Sequence, residues 1–308
     1  MLKDRILLTL KFFDLQDYPL TVLELQSFLL PEFLELKNLI DENWEIKDNL
    51  KISQKIQKVL LIEIVNCLDT ECAFEAENYR GFYFLRGRTQ IAEERWKNYL
   101  FAIFREKRIN RFIKFVKFLP FIWGVAVGGS QAMGHQNKSS DIDLFVITDS
   151  GFLGMARIFL TAFFQVFGVR RHDKKIANRF CLNHYLGEGN VSSAGRDMYN
   201  AMEYLRLRPI VYEMNVSKFL AGEFEWVKNY FPNFQVFNID SSERQPFVQK
   251  WFEQIFRNKI GRKIEDFLCS WQLIKICQGN NFVVATAKEM AFHSLERKQE
   301  LLKTFFEI

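Results

Sequence analysis

The sequence predicts a mixed α/β fold in which helices pack against a sheet. Two short apolar runs rich in β-branched residues, 125–127 and 144–147, have the composition of buried strands. A third run at 179–186 is predicted to be the next strand, and the apolar segment 151–168 has the length of a crossover helix. The order strand, strand, helix, strand is typical of an α/β sheet and not of a helical bundle or a β-sandwich.

The composition is that of a folded protein with a mild basic excess. The chain has 308 residues, of which 48% are hydrophobic and 26% charged, and this length allows two or three domains. A net charge of +5 permits a nucleotide or nucleic-acid partner. The five cysteines are odd in number and lack C-x-x-C spacing, which favours free thiols in a reducing compartment.

These features predict a cytoplasmic protein without a membrane partner. The first residues lead directly into an amphipathic helical pattern and do not resemble a signal peptide. The apolar run 158–169 lies between Arg157 and Arg170, and it is shorter than the roughly 20 residues that a membrane span requires. A buried helix is therefore predicted there.

Residues 1–88 are predicted to form a winged-helix-like module. Three helical patterns are followed by a hairpin strand, at 6–13, 22–29, 33–42 and 79–85. Thr21 and Glu24 form a capping box that predicts the start of the second helix. This order of elements is that of a winged helix-turn-helix. Because the third helix carries more acids than bases, packing or partner binding is favoured over DNA reading.

Residues 89–119 are predicted to form a basic connecting helix. Its basic residues greatly outnumber its acids: Arg95, Lys97, Arg105, Lys107, Arg108, Arg111, Lys114 and Lys117. One interpretation is a basic stripe that steers a polyanion towards the segment that follows. The other is the solvated face of a helix that joins two domains, and the sequence favours neither.

A glycine turn and a carboxylate pair lie between the first two predicted core strands. Because side chains alternate along a strand, Asp141 and Asp143 share one face while Ile142 points to the core. Two carboxylates on one face repel each other unless a cation lies between them, and hard oxygen ligands suit Mg²⁺. Gly129 permits a backbone conformation that lets N–H groups and the Ser130 hydroxyl approach phosphate oxygens.

The pattern of residues 129–144, with a strand on either side, resembles the nucleotidyltransferase superfamily of DNA polymerase beta type. The resemblance implies a core of mixed sheet and helices over 120–190, in which Gly129 and Ser130 hold the nucleotide phosphates. It also implies that Asp141 and Asp143 are catalytic and bind Mg²⁺ or Mn²⁺. The implied reaction moves a nucleoside monophosphate from an NTP to an acceptor hydroxyl of a nucleic acid, a protein or a small molecule.

The third predicted core strand departs from this pattern. In the superfamily this strand usually presents a third carboxylate, whereas the matching face here offers Cys181, Asn183 and Tyr185. By alternation His184 is expected to point to the opposite face in a structural role. The chain also resembles uncharacterised bacterial nucleotidyltransferase-domain proteins with an N-terminal winged-helix module, and the asparagine is consistent with a feature of that group.

Three explanations of the missing acid remain open. Asn183 is a neutral oxygen ligand and nucleotide-binding residue, or Glu188 or Asp197 reaches the metal from the following loop. Otherwise the protein binds nucleotide and transfers slowly or not at all. This last case gives an alternative function, a nucleotide-binding regulator whose winged-helix module engages DNA or a protein.

Basic residues after the second core strand are further candidates. Arg157, the only charged residue of the predicted crossover helix, is a candidate for nucleotide binding, although it could instead pair with an acid or reach solvent. The basic segment 170–175 could bind a triphosphate, but a solvated turn is favoured.

Residues 191–308 are predicted to form a helical C-terminal region. Glu203 is a candidate for contact with the nucleotide base, against the simpler interpretation of an exposed acid on a helix. The apolar residues of the last helices are predicted to form a core: Trp251, Ile255, Phe267, Trp271 and Leu273.

Overall fold

The computed structural model describes residues 1–41, 58–172, 174–187, 196–212, 224–234, 246–278, 284–292 and 295–307. It has the predicted mixed α/β fold, with a three-stranded sheet near the N-terminus and a larger, six-stranded sheet formed by later residues. Glu188 and the predicted linker at 235–245 lie outside the described residues. The domain boundaries after residues 88, 119 and 190 stay a prediction.

The N-terminal module packs helices on a small antiparallel sheet of order β1-β3-β2. Its elements are α1 (Leu2–Asp14), β1 (Leu20–Thr21), α2 (Val22–Ser27), α3 (Phe33–Leu39), α4 (Leu61–Asp69), β2 (Ala76–Tyr79) and β3 (Phe82–Leu85). The predicted capping box is present, since Glu24 N–H donates to Thr21 Oγ1 and Thr21 N–H donates to the Glu24 carboxylate. Helix α4 has no counterpart in the prediction, because its β-branched residues locally favour a strand. The winged-helix assignment stays a prediction.

The larger sheet is mixed and has the strand order β7-β4-β5-β6-β9-β8. The elements after the N-terminal module are α5 (Thr89–Val116), β4 (Ile122–Val127), α6 (Gly129–Ala132), β5 (Ile142–Thr148), α7 (Leu153–Val166), β6 (Phe180–Gly187), α8 (Met198–Arg206), β7 (Arg208–Tyr212), a 3-10 helix (Glu225–Asn229), α9 (Phe247–Phe256), α10 (Lys259–Gln278), β8 (Val284–Ala285), β9 (Glu289–Ala291) and α11 (Leu295–Phe306). Strands β5 and β6 are parallel and joined through α7, as predicted, and the other pairs are antiparallel. The short strands β8 and β9 lie in the region that was predicted to be helical.

Side-chain alternation along β5 divides the structure into two layers. Leu144 and Val146 pack in a core with the second half of α5, α7 and part of α10. Phe145 and Ile147 point to the other face, where the core is shared by α8, the 3-10 helix, α11 and the N-terminal module. Asp143 has the same parity as Phe145, so it faces the N-terminal module and α8.

The N-terminal module is tied to the larger sheet through buried Arg95. Its guanidinium donates to both carboxylate oxygens of Glu24, at 2.8 and 2.5 Å, and to the Met133 carbonyl at 3.3 Å. The Tyr18 hydroxyl donates to the same carbonyl at 2.8 Å. Helix α5 therefore uses one of its basic residues as an internal anchor.

The predicted C-terminal core is wrong for four of its five residues. Trp251, Ile255, Phe267 and Trp271 are 52%, 45%, 69% and 45% exposed, and Leu273 alone packs against the sheet core, partly buried. The fully buried residues of α9 and α10 are largely polar. Amphipathic spacing therefore identified the apolar side of each helix correctly, but that side faces outward and not into the core. Within the described ranges no helix is both long and apolar enough to cross a membrane.

Candidate functional site

A cavity of about 820 Å³ lies between the larger sheet, α8, α11 and the N-terminal module. Six residues proposed from the sequence line it: Gly129, Ser130, Asp141, Asp143, Asn183 and Glu203. Leu15, Gln16 and Tyr18 of the N-terminal module form part of its wall. The module is therefore part of the site and not a separate appendage.

Asp141 and Asp143 meet Cys181 of the neighbouring strand. One ligand atom from each of these residues lies within 4.8 Å of the other two, because Asp143 and Cys181 are register partners in the parallel pair β5–β6. Burial, and then the charges of Asp141 and Glu203, raise the pKa of Asp143 from 3.8 to about 7. Such a shift is expected where carboxylates share a site with too little positive charge.

The donor set fits a hard divalent cation. Carboxylate oxygens are the ligands that Mg²⁺ and Mn²⁺ prefer. Burial and the charges of Asp143 and Asp141 raise the pKa of the Cys181 thiol to about 12. The thiol therefore stays protonated at neutral pH, and it donates to Asn183 Oδ1 at 2.7 Å. The two carboxylates are the residues that would hold the ion.

Arg171 supplies positive charge to this pair, and the sequence identified only the basic segment 170–175 that contains it. Its Nη1 lies 2.5 Å from Asp141 Oδ2 and 3.5 Å from Cys181 Sγ. The side chain is 42% exposed and lines the cavity. In the sequence Arg171 is one of several bases in 170–175, and nothing local distinguishes the one that crosses to Asp141.

Gly129 takes the backbone conformation predicted for the turn. Its φ is +56°, and an added Cβ would lie only 2.5 Å from Asp143 Oδ2. The N–H of Gly128 donates to the Asp143 carbonyl at 3.0 Å. The turn and the carboxylate are therefore in contact, and only glycine satisfies both the backbone conformation and the space.

A buried glutamine, also missed from the sequence, holds Ser130. Gln136 Nε2 donates to Ser130 Oγ at 3.0 Å and to the Asp141 carbonyl at 2.7 Å. Arg105 of α5 donates in turn to Gln136 Oε1 and to the Asn137 carbonyl. Because Ser130 Oγ accepts this bond, its own hydrogen can point into the cavity. Arg105 thus acts as a second internal anchor of the basic helix.

A β-bulge on β6 reverses the predicted facing of two residues, Tyr185 and His184. Leu144 pairs with Leu182 and Phe145 with His184, so Asn183 is the inserted residue. Tyr185 consequently points into the opposite core, whereas His184 lies on the cavity side and contacts the Phe145 ring at 4.6 Å. The structural role expected for His184 agrees with its bond to Glu289, at 2.9 Å.

The position of the missing acid is occupied by an amide. Asn183 Nδ2 donates to Asp143 Oδ1, so its nitrogen, and not its oxygen, faces the carboxylate. Asp197 is fully buried, caps α8 through the Asn200 N–H and pairs with Lys298 at 2.5 Å. Of the acids considered from the sequence, Glu203 does line the cavity, although it was proposed for a different role.

Arg157 is not brought to this cavity. Its Nη1 donates to Gln272 of α10 at 2.8 Å, and its guanidinium lies 5.0 Å from the centre of the Phe292 ring. Its bonded partner is therefore an amide, whereas the sequence suggested a nucleotide, an acid or solvent.

Residues 109–182 match the family model of the nucleotidyltransferase domain. The match begins in the second half of α5 and ends in β6, so it includes the glycine turn, the carboxylate pair and Arg171. No curated protein and no solved structure matches the chain significantly.

Substitution of Gly129 by Ala should abolish metal-dependent ligand binding. The added methyl group would collide with the Asp143 carboxylate, and the positive φ would cost about 1–2 kcal/mol of folding free energy. Gly168→Ala is the matched control, because its φ is +62° with no atom within 4 Å of the added Cβ. Thermal shifts with ATP and Mg²⁺ should vanish in Gly129→Ala and persist in Gly168→Ala. Equal losses in both variants would contradict the proposed contact.

The raised pKa of Asp143 predicts a pH-dependent stability in the metal-free protein. Its protonated form stabilises the fold below pH 4, and this contribution is lost as the pH rises through about 7. Urea unfolding in EDTA should therefore show wild type losing stability relative to Asp143→Asn over that interval. Parallel pH profiles for the two proteins would contradict the assignment.

Proposed function

We propose that this protein, whose residues 109–182 belong to the nucleotidyltransferase domain family, transfers a nucleoside monophosphate from an NTP to an acceptor hydroxyl in a Mg²⁺- or Mn²⁺-dependent reaction. Domains of this family transfer nucleotidyl groups. The observation that carries the proposal is the contact of Gly129 with the carboxylate of Asp143. It joins the glycine turn to a carboxylate pair of the kind that binds metal ions, at one wall of a single cavity.

Asp141 and Asp143 would hold the ion and Gly129 and Ser130 the phosphates. A bound Mg²⁺ would supply positive charge to the transferring phosphate and so stabilise the transition state. Ser130 contributes a hydroxyl hydrogen, and its position is set by Gln136. Asn183 donates to Asp143 Oδ1 and so orients that carboxylate.

The acceptor hydroxyl must lose its proton as the new P–O bond forms and the bond to pyrophosphate breaks. Glu203 is our candidate for receiving this proton, because it lines the same cavity and its charge acts on Asp143. It would take the place of the carboxylate that β6 lacks. Arg157 has no part in the proposal, because it bonds to Gln272 elsewhere.

A second candidate function is nucleotide binding without efficient transfer, as in a regulator. The observation that favours it is Asn183, which stands where a third carboxylate is expected. Leu15, Gln16 and Tyr18 line the cavity, so a bound nucleotide could then change the conformation of the N-terminal module to which they belong. The two functions share one site and differ in whether pyrophosphate is released.

The transfer reaction predicts pyrophosphate release that depends on Asp141. Purified protein with Mg²⁺ and each NTP, tested against nucleic-acid, protein and small-molecule acceptors, should release pyrophosphate. Asp141→Asn should lower the rate of pyrophosphate release at least about 100-fold, because several kcal/mol of charge stabilisation are lost. Asp266→Asn is the matched control, because Asp266 is an exposed acid on α10. Nucleotide binding without pyrophosphate would favour the regulator, and the absence of both would refute the site.

Arg171 is proposed to leave Asp141 for the triphosphate when the metal binds. Arg171→Gln should therefore tighten Mg²⁺ binding on the order of ten-fold by removing a competing charge. The same change should weaken NTP binding on the order of ten-fold by removing a charged donor. Isothermal titration with Mg²⁺ and with NTP measures the direction of both affinity changes. Lys174→Gln is the control from the same basic segment. Changes of the same sign for both ligands would contradict the exchange.

A further inference from the structure

Helices α9 and α10 bury polar side chains beside a few apolar ones. In α9 the buried Gln249 donates to the Ile122 carbonyl at 2.8 Å, and the buried Glu253 accepts from the Phe121 N–H at 2.9 Å. These bonds satisfy backbone groups at the start of β4. Rotating the helix to bury its apolar side would leave them unpaired, at a cost of about 1–3 kcal/mol each.

The same arrangement fixes α10. Glu265 accepts from the N–H groups of Gly154 and Met155, both at 2.7 Å, which are orphan donors at the start of α7. Gln272 donates to the Gly154 carbonyl at 2.9 Å. The outward side of both helices is therefore set by hydrogen bonds and is not a consequence of loose packing.

The outward side is apolar. Its large side chains are 40–81% exposed: Phe247, Val248, Trp251, Phe252, Ile255, Ile260, Ile264, Phe267, Trp271 and Ile274. The five residues of α10 recur at helical spacing and form a stripe about 21 Å long. We call the ten residues the α9–α10 surface. Large exposed apolar side chains grouped in this way are typical of an interaction site.

The exposed charged residues of α9 and α10 are nearly all positive. Five exposed bases stand on these two helices: Lys250, Lys259, Arg262, Lys263 and Lys275. Asp266 is their only exposed acid, since Glu253 and Glu265 point inward. By helical spacing Lys263 and Lys275 lie on either side of the apolar stripe. Lys275 Nζ also lies 4.3 Å from the centre of the Trp271 ring.

We propose that the α9–α10 surface docks on an anionic membrane surface. A stripe of Trp, Phe and Ile with Lys and Arg along its edges is the pattern of helices that lie in a lipid interface. The bases would contact anionic headgroups and the stripe would enter the boundary of the acyl chains. This inference goes beyond the expectation of no membrane partner, which rested on the lack of a signal peptide and on the shortness of the apolar run 158–169.

Two other occupants fit less well. A second copy of the chain would bring one positive rim against another. A nucleic acid would place phosphates against isoleucines, which offer neither charge nor a stacking surface. The surface also lies on the sheet face opposite Asp143, so docking leaves the cavity open.

The test is co-sedimentation of the full chain with vesicles of phosphatidylcholine, with and without phosphatidylserine. Binding is expected only with phosphatidylserine, and it should fall as salt rises. Phe267→Glu with Trp271→Glu should abolish it. Lys259→Gln with Lys263→Gln should weaken it about 30-fold, because each lysine near an anionic surface contributes about five-fold.

The matched control is Leu34→Glu with Phe74→Glu, two side chains of the N-terminal module that are 71% and 81% exposed. This control should bind like wild type, and unchanged melting temperatures should show that all variants fold. Equal loss in the control, or no binding to either vesicle, overturns the proposal. Two further results would overturn it if the vesicles are not bound. One is a dimer in sedimentation equilibrium that the double variant Phe267→Glu with Trp271→Glu dissociates. The other is binding of DNA or RNA by this surface.

Discussion

Repulsion between two carboxylates on one face of β5 is the constraint to which the rest of the site responds. Burial and mutual charge raise the pKa of Asp143 to about 7. Two neighbouring donors stabilise the negative charge of the pair, since Arg171 bonds to Asp141 and the Asn183 amide donates to Asp143. Groups with strongly shifted pKa values cluster at functional sites, and a cation that arrives with an anionic ligand would relieve the repulsion directly.

The basic helix α5 has a structural role that its composition did not suggest. Arg95 and Arg105 are buried, and they hold Glu24 of the N-terminal module and Gln136 behind the glycine turn. Lys97 and Lys107 remain exposed and can act only through their field or their solvation. The helix therefore positions the cavity wall and Ser130 from behind, through two residues that precede the family match at 109–182.

The parts of the fold that follow from local periodicity could be predicted, and those set by distant contacts could not. Strands β4 and β5, the turn between them and α7 were visible because alternation and glycine chemistry are local. The bulge at Asn183 leaves no trace in composition, so it reversed the expected facing of Tyr185 and His184. Arg171 looks like its basic neighbours until the chain folds. Amphipathic spacing likewise cannot say that Gln249 and Glu265 pair with orphan backbone groups and so turn the apolar side outward.

The two faces of the larger sheet carry different chemistry, and this separation has a consequence for the substrate. Asp143 faces the N-terminal module, whereas α10 packs on α7 at the opposite face. If the α9–α10 surface rests on a membrane, the sheet and α7 lie between the lipid and the cavity. The cavity would then receive its nucleotide and its acceptor from the aqueous side, and a lipid headgroup in the same membrane would be a poor acceptor. Docking would serve to concentrate the enzyme near a water-accessible acceptor at the membrane and not to extract a lipid.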